Sequence, residues 1–322
     1  MPEHIDGYPV GSENLIGSGN DMTDQNKISP PLRKASTVIL VRGKNNTLEV
    51  YLLRRSTKSG FMGGLYVFPG GVADSDDFGF DDWRPYIDME QDQIEKQLGG
   101  PFFPREDIIG FSIAAIRETL EEAGVFIVAG KGMIKKDIED VCTFRLNRHL
   151  PKSWFKAKII EKGWILSFAS LGRWSHWITP KLMKKRFDTR FFIVFMPENQ
   201  TCVPDDMETK HGIWLSPQHA LEQNLEERVP LSPPTVVTLT QLLKFNTFHE
   251  LKCEMQTRSW GDPIAPRLVP SPNGPVILEP WDPMYDTDEK INISNLSGKV
   301  LPACSNFSRI WCDREVWKPV GI

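Results

Sequence analysis

Cysteine is scarce: Cys142, Cys202, Cys253, Cys304 and Cys312 are odd in number, scattered, and without C-x-x-C spacing. This argues against a disulfide frame or a structural zinc site and fits a reducing compartment. An excess of positive charge is missing too. The formal net charge is −4, so nothing draws the whole surface to a nucleic-acid backbone or an anionic membrane, and no nucleic-acid partner is expected. A polyanionic ligand would need local Arg and Lys residues or a metal ion. No apolar run approaches membrane-spanning length, and the N-terminal segment lacks a basic stretch followed by an apolar core, so neither a membrane span nor a signal peptide is expected. Sequons such as Asn292 to Ser294 are then chance matches. No internal repeat is visible, which sets solenoids aside.

What is present suits a soluble, loop-rich globular chain: 322 residues, 40% hydrophobic and 25% charged, with 25 Pro and 24 Gly. Residues 1–33 are polar and glycine-rich, close on Pro30-Pro31, and read as a disordered tail. "ASTVILVRG" and "LEVYLLRRS" read as a hairpin of two strands, and "GGLYVFPGG" as a short strand ending in glycines. Residues 78–104 are acidic and helical in character, an insertion. "IIGFSIAAIRETLEEAGVFIV" reads as a helix stopped at Gly124 and then a strand. Further on, "RFFIVFMP" is a buried-type strand, "GIWLSPQHALEQNLEE" a strand and helix, and "PPTVVTLTQLLKFNTFHELKC" one helix begun by prolines. Residues 258–322 are Pro-rich and weakly patterned, a C-terminal extension to a domain at 34–257.

On a helix advancing about 100° per residue, Glu118, Glu121 and Glu122 share one face, while Ile113, Ile116, Leu120 and Ala123 lie roughly opposite. Like charges so close repel, and they stand near the helix C-terminus, where the backbone dipole also disfavours anions. A hard divalent cation would compensate them. For the helix alone, the plain alternative is a solvated acidic face.

"RETLEEAGV", residues 117–125, matches the second half of the Nudix box, R-E-U-x-E-E-x-G-U with U aliphatic, except that Thr119 takes the first aliphatic place. The first half, G-x5-E, starts at Gly71 and reaches Asp77 in place of Glu. Where the family has a short spacer, 39 residues separate Asp77 from Arg117. The box resembles one split by an insertion. The wider resemblance is to the coenzyme A diphosphatase branch of the Nudix hydrolases, the peroxisomal type with a long insert, through "VYLLRRSTKSGFMGGLYVFPGGVAD", "RWSHWITP" and "RFDTRFFIVFMPE".

That resemblance implies an α/β fold, a Nudix α/β/α sandwich with a mixed sheet, a helical insert inside the box and a Pro-rich C-terminal extension. It implies metal-dependent hydrolysis of CoA or acyl-CoA to 3',5'-ADP and (acyl-)4'-phosphopantetheine. Carried over by position, Glu118, Glu121, Glu122 and the Gly70 carbonyl hold Mg²⁺ or Mn²⁺, Arg117 braces the loop, and Glu118 is a candidate base. Arg54, Arg55, Ser56 and Lys58 are candidates for holding substrate phosphates, with an exposed basic strand end as the alternative. Arg186, Asp188 and Arg190 read as a structural ion-pair group, Glu198 as a loop acid, and His176 as a packed residue. The rivals are another Nudix substrate, ADP-ribose or NADH, and a non-catalytic Nudix scaffold. The final Val320-Gly321-Ile322 is no Ser-Lys-Leu-like signal, so cytoplasm is the default expectation, with peroxisome or mitochondrion by another route.

Overall fold

The computed structural model of the chain describes residues 30–44, 47–100, 103–129, 135–287 and 296–322. Most of the expected N-terminal tail lies outside them, as does the hairpin tip at Asn45 and Asn46. Strands β1 (Leu32–Lys44) and β2 (Thr47–Arg55) pair antiparallel as read, with Lys44 opposite Thr47. Beyond the pair Val41–Val50 the two strands part, and two short strands fill the opening. β3 (Tyr66–Val67) pairs with β2 at Leu53 and Arg54, and β4 (Gly70–Val72) pairs with β1 from Ala35 to Thr37. The double glycine therefore does not end a strand; it forms the next one, held inside the sheet.

The insert folds into helices α1 (Phe80–Trp83) and α2 (Gln91–Leu98), anchored by buried Trp83, Ile94 and Leu98. Helix α3 (Arg105–Ala123) follows and stops at Gly124, which takes the left-handed conformation at φ 67°, ψ 23°. Ile113, Ile116, Leu120 and Ala123 are buried as expected, but so are Phe111 and Thr119 on other sides, because the sheet covers one flank of the helix and the insert another. Then come α4 (Lys135–Phe144), α5 (Trp154–Lys162), β5 (Gly172–Ile178), β6 (Arg186–Phe195) and β7 (Thr209–Leu215). β6 runs parallel to β1 while the other pairings are antiparallel, which gives a mixed seven-stranded sheet with the path β3-β2-β1-β6-β5.

β1 reads "TVILV" without alternation, the pattern of a strand covered on both faces. Val38 and Leu40 pack with α3, Ile39 and Val41 with α6 (Pro217–Leu225) and α7 (Pro233–Leu242). Helix α8 (Phe248–Thr257) is separate from α7, although one continuous helix was expected. Thr247 starts it as an N-cap, its hydroxyl accepting from the Glu250 N–H at 3.1 Å.

The C-terminal extension forms a second, four-stranded antiparallel sheet from β8 (Arg267–Val269), β9 (Val276–Leu278), β10 (Arg309–Asp313) and β11 (Val316–Val320). Its strands of three to five residues between prolines leave too short a pattern to read. One face belongs to the main core: Leu268, Ile277, Ile310 and Trp317 pack with the α6–α7 side of the large sheet. The Asn224 amide clamps the junction by donating to the Trp317 carbonyl at 2.8 Å.

Candidate active site

Arg117, one turn and a half before the end of α3, points into the loop that carries Asp77. Its Nε and Nη2 donate to Asp77 Oδ1 and Oδ2 at 3.0 and 2.8 Å, a two-pronged pairing. Nη2 also donates to the Val72 carbonyl at 2.9 Å, and Nη1 to Glu118 Oε1 at 2.8 Å and Glu121 Oε2 at 2.7 Å. Both partners are buried, with side chains 6% and 2% exposed. Asp77 closes a 3₁₀ turn, Ser75–Asp77, in which its Oδ2 also accepts from the Asp74 N–H at 2.8 Å. The two halves of the split box thus meet across residues 78–116, and Asp77 takes the place of the family's Glu as the anchor of the arginine.

The glycines serve the same junction. A Cβ on Gly71 would lie 2.5 Å from the Glu118 carboxyl, and one on Gly70 2.3 Å from the Ser36 carbonyl oxygen. Only glycine lets β4 lie between β1 and the acidic end of α3. The Gly70 N–H donates to Glu122 Oε2 at 2.8 Å.

Burial of Glu122 and partial burial of Glu118 and Glu121 disfavour their charged forms. Burial pushes the Glu118 carboxyl up to about 7 against the opposing pull of Arg117, and Glu121 is raised for the same reason. Glu122 lies well above the usual carboxylate range through burial and the nearby Glu118. Its counter-charge is Arg55, whose Nη1 stands 4.0 Å from Oε1. Burial works against the Arg117 charge, but Glu118 and Asp77 hold its pKa above the ordinary value. Trp154 Nε1 donates to Glu121 Oε1 at 2.9 Å, a contact with no sequence signal, and Arg145 donates to the Glu121 carbonyl.

This donor set, hard oxygens short of positive charge, fits a divalent cation. As placed, however, the carboxylates gather around Arg117 and the Gly70 N–H, and among the described residues no three His, Cys, Asp or Glu side chains converge as a metal site. Coordination would require Glu118, Glu121 and Glu122 to turn from these partners.

Beside the glycines lies a cavity of about 510 Å³, whose walls include Arg55, Gly70, Gly71 and Glu208. Of the four candidate phosphate-holding residues only Arg55 lines it. Arg54, the residue before it, is exposed, with its Nε donating to the Gly64 carbonyl at 3.2 Å. Ser56 and Lys58 are not among the lining residues, whereas Arg33 and Lys185, which the sequence did not single out, are. The parallel pairing of β1 with β6 brings these two together, a juxtaposition no local motif encodes. Away from the site, Asp188 accepts from Arg190 Nη1 at 2.7 Å and pairs with His176 Nε2 at 2.8 Å, and Glu198 is an exposed loop residue.

Comparison with known proteins places the chain in a family. The chain is 30% identical over 301 residues to an acyl-coenzyme A diphosphatase NUDT19 of Xenopus laevis, covering 82% of this chain and 77% of that protein. It is 28% identical over 299 residues to the Homo sapiens protein of the same name, covering 80% and 79%. The fold matches the crystal structure of a Nudix hydrolase from Alicyclobacillus acidocaldarius with a TM-score of 0.55 at 23% identity, over 72% of this chain and 99% of that one. The family model of the NUDT19 Nudix domain matches residues 32–242, the span that holds β1, both halves of the box and the helices behind them, and the chain belongs to that family.

Proposed function

We propose that the chain is a Nudix diphosphatase that cuts the diphosphate of CoA or acyl-CoA, giving 3',5'-ADP and (acyl-)4'-phosphopantetheine. The observation that carries this reading is the Arg117 cluster, which rejoins a split box and gathers Glu118 and Glu121, while Glu122 beside them accepts from the Gly70 N–H. A structural helix face has no use for mutually repelling, partly buried carboxylates. Glu118, Glu121, Glu122 and the Gly70 carbonyl would hold Mg²⁺ or Mn²⁺. Bound there, the ion supplies charge neutralisation on the phosphate oxygens and lowers the pKa of an attacking water. Arg117 keeps the glutamates and the Val72 carbonyl in register. Glu118, whose carboxyl lies against Gly71, would take the proton of that water. Arg55, on the cavity wall next to Glu122, is placed to hold a phosphate oxygen.

The test is a screen of purified protein against CoA, acyl-CoAs, ADP-ribose and NADH, with Mg²⁺, Mn²⁺ or a chelator. We expect the highest kcat/KM for CoA or its thioesters and no turnover under chelation; faster turnover of ADP-ribose or NADH would reassign the substrate. Glu121→Gln and Glu122→Gln should each lower kcat by about 10²-fold or more, because a neutral amide is a poor ligand for a hard cation. Wild-type turnover in both folded variants would remove α3 from the site.

A further inference from the structure

The cavity beside the glycines is walled on one side by residues outside the span that matches the Nudix family. Its floor is the large sheet, with Phe187 and Phe191 of β6, and Met183 stands at its side; its opposite wall is Leu268 of β8, Ile277 of β9 and Trp317 of β11. The second sheet therefore completes the chamber whose lining includes Gly70 and Gly71. Resting on the activity proposed above, we infer that the second sheet forms the wall of a subsite for the acyl-pantetheine arm of the substrate, and that Leu268, Ile277 and Trp317 determine which acyl chains fit.

The chemistry of the walls selects the arm. Beyond the diphosphate, CoA carries on one side a nucleoside with a further phosphate, and on the other an uncharged amide chain that ends, in a thioester, in hydrocarbon. A polyanionic nucleotide calls for several cations around it. Here the charged wall residues are Arg33, Arg55, Lys185 and Glu208. Arg33 and Lys185 are exposed and Arg55 pairs with Glu122, so the rest of the wall is uncharged, mostly aromatic and aliphatic side chains with the hydroxyls of Ser36, Ser232 and Thr235 among them. About 510 Å³ lies within the roughly 300–1,000 Å³ usual for small-molecule sites, and a largely apolar wall with a few hydroxyls and no interior charge suits an uncharged amide chain that ends in hydrocarbon. Burying methylenes against such walls raises affinity with each carbon until the chamber is full.

Two measurements test this. In the wild type, S-acyl pantetheines of increasing chain length, which lack the diphosphate, should inhibit CoA hydrolysis more strongly with each added pair of carbons up to a limit. In Leu268→Trp and Ile277→Trp, the ratio of kcat/KM for long-chain acyl-CoA to that for CoA should fall by about tenfold or more, as expected when a pocket loses room for a few carbons. If the wild type hydrolyses CoA but inhibition ignores chain length, or if the ratio stays within about twofold in both folded variants, the subsite is wrong while the activity stands. Should the bulky variants fail to fold, the inhibition series alone decides. A wild type that hydrolyses neither CoA nor acyl-CoA overturns the activity, and this inference with it.

Discussion

A guanidinium as buried as Arg117 depends on the carboxylates around it, and on Asp77 most of all, since that pair is the least exposed. Asp77→Ala would leave a buried cation short of its two-pronged partner, and removing one member of a buried pair costs about 3–5 kcal/mol. The unfolding free energy from denaturant titration should be lower by that amount, read as a lower midpoint at unchanged slope; an unchanged midpoint would mean that Glu118 and Glu121 suffice. Glu279 presents the opposite case. It is wholly buried, neither carboxylate oxygen has a hydrogen-bond partner among the described residues, and burial pushes its pKa from 4.5 up to about 8. Below pH 4.5 the folded and unfolded chains are both protonated there and the group is silent. Between 4.5 and about 8 the unfolded chain sheds the proton while the folded chain keeps it, so stability falls as pH rises, and above 8 the loss is complete. At about 1.4 kcal/mol per pH unit this amounts to a few kcal/mol. Glu279→Gln should therefore equal wild type near pH 4 and exceed it in thermal melts at pH 8 to 9; parallel pH profiles for the two proteins would refute the buried neutral acid.

β4 gives two neighbouring glycines different tasks. A Cβ on Gly71 meets the movable end of Glu118, whereas one on Gly70 meets backbone, the Ser36 oxygen and the Thr37 Cα. Gly71→Ala should keep its melting temperature close to wild type but displace the carboxylate, lowering kcat by about 10²-fold, the scale of a misplacement near 1 Å. Gly70→Ala should instead break the β1–β4 pairing and melt early. Equal effects on both properties in the two variants would contradict this division. α3 and its stop were legible from the run "IIGFSIAAIRETLEEAG", and the two box halves from Arg117 and Gly71, because helix period, a terminal glycine and a fixed motif are local signals. The break between α7 and α8 was not, since Thr247 competes as a cap inside an otherwise helical pattern. Nor were the cavity residues Arg33 and Lys185, or the exposure of Arg54: those depend on which strands pair and which face each residue takes, and that is decided by the whole sheet.

At the scale of the molecule, the second sheet is part of the main core. A chain ending at residue 257 would expose the surface now covered by Leu268, Ile277, Ile310 and Trp317. At about 1.5–3 kcal/mol for each buried side chain the loss is about 6–12 kcal/mol, comparable with the roughly 5–15 kcal/mol that holds a domain folded. The truncated chain should aggregate or melt far below wild type, and a cooperative melt at the wild-type temperature would show the first 257 residues to be self-sufficient. The split box also sets an order in time. In a contiguous box the arginine and its acid meet by closing a short loop, but here residues 78–116 intervene, and the longer loop adds about 1–2 kcal/mol of chain entropy to the encounter. Most of that is recovered only after Trp83, Ile94 and Leu98 have packed and shortened the path. The contact between Arg117 and Asp77 therefore belongs to the late, native side of the folding barrier: the stability lost in Asp77→Ala should appear as faster unfolding, with refolding nearly unchanged, so that the chain commits to its fold before it has a site.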